Sequence, residues 1–215
     1  MKRLFDIECR TPWLLARFTN RQRMLSWSLN RPGMVEADTV AWLEVRDADL
    51  PLGVDPLEML ERRLGEQGLD AAVGLMTARE IALHHPATAI GEDVRVDALV
   101  TLGLTNGALL DETGRLTDYT AVAPVGTINM LVAVSHPLSE AAMLEAMSVA
   151  TMARTAALLS DGGRIVGTGT DCIVVACPEG VGGETFAGLH TVVGTRITEA
   201  VFQAVREARR TWEGG

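Results

Sequence analysis

The chain has 215 residues, of which 47% are hydrophobic, 22% charged and 4% aromatic, enough for one sizeable core. Nineteen Lys and Arg face 28 Asp and Glu, a net charge of -9, so the basic footprint that holds a phosphate backbone is missing and nucleic acid is not an expected partner. The apolar runs 128–134 and 173–177 fall far short of the roughly 18 residues that cross a bilayer, so no membrane span is expected. Asp6 and Glu8 interrupt what would be the apolar core of a leader, and the N-terminus reads as that of a mature cytoplasmic protein.

Residues 4–9, 13–18, 23–28 and 39–45 have strand character, the last two separated by Asn30-Arg31-Pro32-Gly33, and together suggest an antiparallel meander. Asp55-Pro56-Leu57-Glu58 is a helix start, with Asp55 as N-cap and Glu58 placed for a capping box. Leu57, Leu60 and Leu64 form the expected buried stripe of that helix, and Gly68 stops it. Residues 70–77 and 95–104 read as strands, with His84-His85-Pro86 between them left unassigned. After a tip at 111–115, Gly126-Thr127-Ile128-Asn129 opens an apolar strand running to Val134.

Pro137-Leu138-Ser139 then starts a long helix that ends near Asp161-Gly162-Gly163. Glu145, Ser148, Thr151 and Thr155 share one arc of about 120° on it, at about 100° per residue. This arc is either an exposed face whose hydroxyls bond the preceding turn or a polar wall toward a ligand. Gly167-Thr168-Gly169-Thr170-Asp171 leads into the strand 172–177, and residues 180–183 make a turn. Cys172 and Cys177, five apart in that strand, point to opposite faces, which gives neither a disulfide framework nor a cysteine metal site. A last helix after residues 188–194 carries Ile197, Ala200, Val201, Ala204, Val205, Ala208 and Trp212 at helical spacing. The pattern predicts a single α+β domain over 1–215, with a mixed, mainly antiparallel sheet and two long helices packed on it; a doubly wound parallel α/β sheet is the alternative.

Phosphate loops, nucleophile elbows and His-Glu-x-x-His helices are absent from the sequence, and Gly167-Thr168-Gly169 precedes a strand where a dinucleotide fingerprint would follow one. Metal binding would have to use His84, His85, His136 or His190 with carboxylates, and adjacent histidines such as His84 and His85 do not easily converge on one ion; neither a metal nor a cofactor is expected. What remains is a set of polar turns at strand ends: 101–106, 126–129, 167–171 and 189–191. Glycine lets a ligand approach the backbone, Thr and Asn supply neutral donors and acceptors, and Asp supplies a base or an ammonium partner.

In this order the turns resemble the adenosylcobinamide amidohydrolase family. The resemblance lies in Val100-Thr101-Leu102-Gly103-Leu104-Thr105-Asn106, Gly126-Thr127-Ile128-Asn129, Ala150-Thr151-Met152-Ala153-Arg154-Thr155, Gly167-Thr168-Gly169-Thr170-Asp171 and Gly188-Leu189-His190-Thr191. Met24-Leu25-Ser26 with Asn30, and Val73-Gly74-Leu75-Met76-Thr77-Ala78, extend it over most of the chain. This chain departs from the family's usual Glu at Met152, its usual Lys at Arg154, its glycine pair at Arg31-Pro32 and its Leu-Gly-Glu at Val193-Gly194-Thr195.

The resemblance implies hydrolysis of the amide that joins aminopropanol to the corrin ring of adenosylcobinamide, giving adenosylcobyric acid. The implied partner is thus a small-molecule corrinoid, with a homo-oligomer left open. Such a reaction needs an activated water or nucleophile, oxyanion donors and a proton for the leaving amine. Under this reading Asp171 is the base or water-orienting group, His190 the proton donor, and Asn129 with Asn106 the amide or oxyanion donors. Thr127, Thr151, Thr168, Thr170 and Arg154 complete the expected substrate-binding set. Asp171 as a simple turn cap, a corrinoid-binding protein without hydrolysis, and a hydrolase of a different amide are the alternatives.

Overall fold

The computed structural model describes residues 2–117, 126–181 and 183–213. Gly182, within the expected turn at 180–183, lies outside them. Its strands are β1 (Asp6–Arg10), β2 (Trp13–Ser26), β3 (Gly33–Glu44), β4 (Val73–Thr77), β5 (His85–Gly91), β6 (Val94–Leu102), β7 (Ala108–Leu110), β8 (Leu116–Thr117), β9 (Ile128–Val134), β10 (Ile165–Gly167) and β11 (Cys172–Pro178). The helices are α1 (Pro56–Glu66), α2 (Glu140–Leu159) and α3 (Val192–Glu213).

Eight strands form one sheet in the order β4-β3-β2-β11-β9-β6-β5, with β1 added on β2, while β10-β7-β8 form a small second sheet. In the large sheet only β3–β4 and β9–β11 run parallel, so the architecture is α+β with a mixed, mainly antiparallel sheet. The sheet curls far enough that β4, its edge strand, reaches β9, and the Asn129 amide nitrogen donates to the Met76 carbonyl at 2.6 Å across the gap.

Curling gives the central strands two buried faces. Leu99, Leu131, Ala133, Val174 and Ala176 pack inward with Phe5, Leu14, Met24 and Trp42, whereas Val100, Val132, Val175 and Cys177 pack outward against α2 and α3. This explains why every residue of β6 and β9 is buried, and why β9 reads as an apolar run broken by Asn129 alone. A third cluster lies under α1, around Leu43, Leu60 and Leu64. The α1 stripe is Met59, Leu60 and Leu64, with Leu57 only half-buried. Asp55 caps that helix by accepting from the Leu57 and Glu58 amides, at 2.8 and 3.3 Å.

Three elements differ from the sequence reading. The two expected strands at 13–18 and 23–28 are one long strand, β2, whose pairing with β3 shifts register between Arg17 and Gln22 at an exposed polar stretch. The unassigned His-His-Pro segment enters β5, which tolerates Pro86 because it is an edge strand. Helix α3 begins at Val192, with the Thr191 hydroxyl accepting from the Gly194 amide at 3.0 Å. Helix α2 with its following turn, 140–162, is also long and apolar enough by composition to cross a bilayer, and half of that stretch is buried within the fold.

Candidate active site at the strand starts of the curled sheet

Strands β9 and β11 run parallel and begin at the same end of the sheet, with Asn129 level with Cys172 on one side and with Thr101, near the end of β6, on the other. The turns leading into them are stitched together. Gly103 N donates to Thr127 O at 2.9 Å, the Thr127 hydroxyl to Thr170 O at 2.8 Å, and the Thr170 hydroxyl to Gly126 O at 3.3 Å. A Cβ at position 126 would sit 2.7 Å from Gly103 O and 2.8 Å from Asn106 Oδ1, so only glycine allows this approach.

Asp171 holds the junction. Its carboxylate accepts from the Ile128 amide at 3.0 Å, the Thr168 amide at 3.0 Å, the Thr168 hydroxyl, and the Arg154 guanidinium of α2. Its side chain is 7% exposed and that of Arg154 is 9% exposed, so this is a buried ion pair. Gly167 makes room for it, since a Cβ there would lie 2.9 Å from both Arg154 Nη1 and Asp171 Oδ2.

The sequence-predicted residues therefore fall into groups. Asn106, Thr127, Asn129, Thr168, Thr170, Asp171 and Arg154 come together at this end of the sheet. Thr151 is on the same helix as Arg154, but its hydroxyl donates to Met147 O one turn back at 2.8 Å, the local bond open to a helical threonine. His190 is exposed in the loop before α3, its ring close to Gly188, where the Glu145 carboxylate also approaches. Glu145 and Arg154 are nine residues apart on α2, about 13 Å along its axis, so His190 and Asp171 attach to different stretches of that helix.

Strand alternation separates the cluster further. Thr101, Asn129 and Cys172 lie in one row on the inner face of the sheet, in phase with Leu99, Leu131 and Val174, while Arg154 approaches from the helical side. Sequence reading did not single out Thr101 or Cys172. The signal available was parity: both are an even number of residues from inward-facing apolar positions of their strands. Burial, and secondarily the Asp171 charge, push the Cys172 thiol up to about 11, which keeps it protonated at neutral pH.

Three side-chain atoms at this end are buried without a hydrogen-bond partner among the described residues: Thr101 Oγ1, Asn106 Oδ1 and Arg154 Nε. Each such atom costs on the order of 1–3 kcal/mol when left unsatisfied; Thr101 Oγ1 lies on the inner face of the sheet, Asn106 Oδ1 in the turn after β6 beside Gly126, and Arg154 Nε on the helical side.

A curled mixed sheet with neutral amides and hydroxyls and one buried ion pair at the strand starts has the makings of a site for a polar small molecule. Residues 2–215 match the family model described as adenosylcobinamide amidohydrolase, and the chain belongs to that family. It is 36% identical over 156 residues to an adenosylcobinamide amidohydrolase of Halobacterium salinarum, a match covering 69% of this chain and 64% of that protein. It is 31% identical over 161 residues to one of Methanosarcina mazei, covering 70% of this chain and 73% of the other. Among solved structures, the PH0078 protein of Pyrococcus horikoshii OT3 is similar in fold, with a TM-score of 0.54 over 94% of this chain and 78% of that one at 13% identity.

Proposed function

We propose that residues 1–215 act as one cytoplasmic corrinoid-salvage domain that hydrolyses the aminopropanol amide of adenosylcobinamide. Water oxygen bonds to the amide carbon, the carbon–nitrogen bond breaks, and the amine leaves with a proton as aminopropanol beside adenosylcobyric acid. The observation that carries this reading is the pair of oxygens without a partner among the described residues at this end of the sheet, Thr101 Oγ1 of β6 level with Asn129 of β9, and Asn106 Oδ1 in the turn that follows β6 against Gly126. A secondary amide offers one N–H and one carbonyl, and such groups pair with it without any phosphate-binding loop. Asn129 uses one N–H on Met76 O and keeps a second for an oxyanion. In this reading Asp171 fixes the turns as an anchor, since four donors converge on its carboxylate. His190 supplies the leaving-group proton to a substrate that spans the nine-residue stretch of α2 between Glu145 and Arg154, about 13 Å.

Corrinoid binding without hydrolysis is the second reading, favoured by the same engagement of Asp171, which ties up the expected base. Incubation with adenosylcobinamide, followed by mass spectrometry for adenosylcobyric acid and aminopropanol, separates the two. Release of both products without ATP, undiminished by a chelator, is expected, because no three His, Cys, Asp or Glu side chains gather to hold an ion among the described residues. A corrinoid spectral shift with the substrate left intact would establish the binding reading, and complete dependence on ATP would overturn both.

A further inference from the structure

The outward face of α2 is not covered by the described residues. Ala141, Leu144, Ser148, Met152, Ala156 and Leu159 are all exposed, and their spacing of three or four residues lines them up in one stripe over the full helix. The six exposed residues themselves carry no charge, in a chain of net charge -9. Glu145, half-buried between Ala141 and Ser148 on the same face, accepts from the Ala187 amide at 2.7 Å. That bond also holds Phe186 and Leu189, 54% and 57% exposed, alongside the stripe, where Leu144 is 63% exposed and Met152 46%.

We infer that this face is the twofold interface of a homodimer in which α2 packs antiparallel on α2 of a second copy. The order of large and small residues selects the occupant. A twofold axis through Ala150 sets Ala141 opposite the second copy's Leu159, Leu144 opposite its Ala156, and Ser148 opposite its Met152. Every pairing joins one large and one small side chain, the complementarity that helices about 8–10 Å apart require. An isologous contact needs each patch to complement itself, and this sequence does so in one register. The six stripe residues with Phe186 and Leu189, along a helix about 30 Å long, offer on the order of 600 Å² per copy, the lower edge of the ~600–1,000 Å² per partner of specific interfaces. The six stripe residues bring no like-charge pair to the contact, and Glu145 is engaged on the Ala187 amide.

Light scattering after gel filtration, from low to high micromolar protein, tests this. The expected mass is twice 23.0 kDa at the upper concentrations, falling to one copy in Met152→Glu and in Ser148→Glu, each of which buries a carboxylate at the centre of the interface, with far-ultraviolet circular dichroism unchanged. Register is tested by oxidation in a Cys9→Ser background, since Cys9 is exposed. Ser148→Cys with Met152→Cys should cross-link into covalent dimers, whereas Leu144→Cys alone, whose two copies would lie about 18 Å apart along the axes, should stay at the background of the parent. A monomer at every concentration overturns the inference, as does a dimer indifferent to both Glu variants or cross-linked equally by Leu144→Cys. Monomeric wild type that sediments with phosphatidylcholine–phosphatidylglycerol vesicles, and loses this in Met152→Glu, would give the stripe to a lipid surface instead.

Discussion

Asp171 illustrates how one side chain can be found by sequence and given its role by its neighbours. A lone carboxylate in a Gly-Thr-Gly-Thr turn before a core strand attracts notice as a base. The structure surrounds it with four donors and buries it against Arg154. Removing one member of a buried ion pair typically costs ~3–5 kcal/mol because the other charge is left uncompensated. Asp171→Asn is therefore expected to lower the midpoint of urea unfolding markedly, with Arg154→Met costing less because the carboxylate it leaves behind still accepts from the Ile128 and Thr168 amides and the Thr168 hydroxyl. A general base would behave differently, with turnover falling ~10²–10⁴-fold and the unfolding midpoint unmoved. His85 gives a second test at this scale. Burial lowers its pKa, opposed by Glu207 of α3 and reinforced by His84 and Arg79. A histidine whose folded pKa lies below its unfolded value of about 6.5 binds fewer protons when folded, so stability falls as pH drops below that value. The melting temperature should decline from pH 7 to 5, and His85→Gln should flatten that decline.

Elements were legible where one physical signal dominated them. The Asp55 cap, the apolar run of β9 and the α3 stripe of Ile197, Ala200, Val201, Ala204 and Val205 each follow from a local rule, and the structure contains all three. Strand β5 was opaque because its identity comes from its partner β6: its own sequence opens on a histidine and a proline, and only an edge position makes Pro86 acceptable. The α2 arc was half legible. Glu145, Ser148, Thr151 and Thr155 do share a face, but the exposed surface there is carried by Leu144, Met152 and Leu159, which a polar-residue search passes over. Likewise the four turns of the candidate site could be listed from sequence, but not the row Thr101, Asn129 and Cys172, which depends on register across three strands. Thr101→Val tests that row. It removes a buried hydroxyl that has no partner among the described residues while keeping the side chain's shape, so thermal stability should hold or rise, whereas corrinoid affinity in a spectral titration should fall by roughly tenfold, the ~1 kcal/mol of one hydrogen bond.

For the whole molecule, the curled sheet encloses an inner core that is closed by polar groups at both ends. Asn129 and Met76 O close one end. At the other, fully buried Asp97 accepts from Arg95 Nε at 2.8 Å and Nη2 at 3.0 Å, from the Thr88 hydroxyl, and from the Leu4 amide at 2.7 Å. The last bond spans 93 residues and fixes the segment that carries Phe5, itself 2% exposed, onto the inner core against Phe18. Asp97 thus joins β5, β6 and the N-terminal segment through one charge that must be matched where it lies. Asp97→Asn has nearly the same shape, but it turns an amide N–H₂ toward donors on Arg95, Thr88 and Leu4 and leaves the Arg95 guanidinium buried without its anion. The expected loss is on the order of 3–5 kcal/mol, read as a lower urea midpoint. Hydrogen exchange separates a local from a global effect: the Leu4 amide and those of β1 should exchange faster than in the parent under conditions where β9 and β11 remain protected. Equal acceleration across all strands would mean that Asp97 supports the sheet as a whole and not the N-terminal closure. An unchanged Leu4 amide would mean that the segment is held by the burial of Phe5 and not by the buried carboxylate.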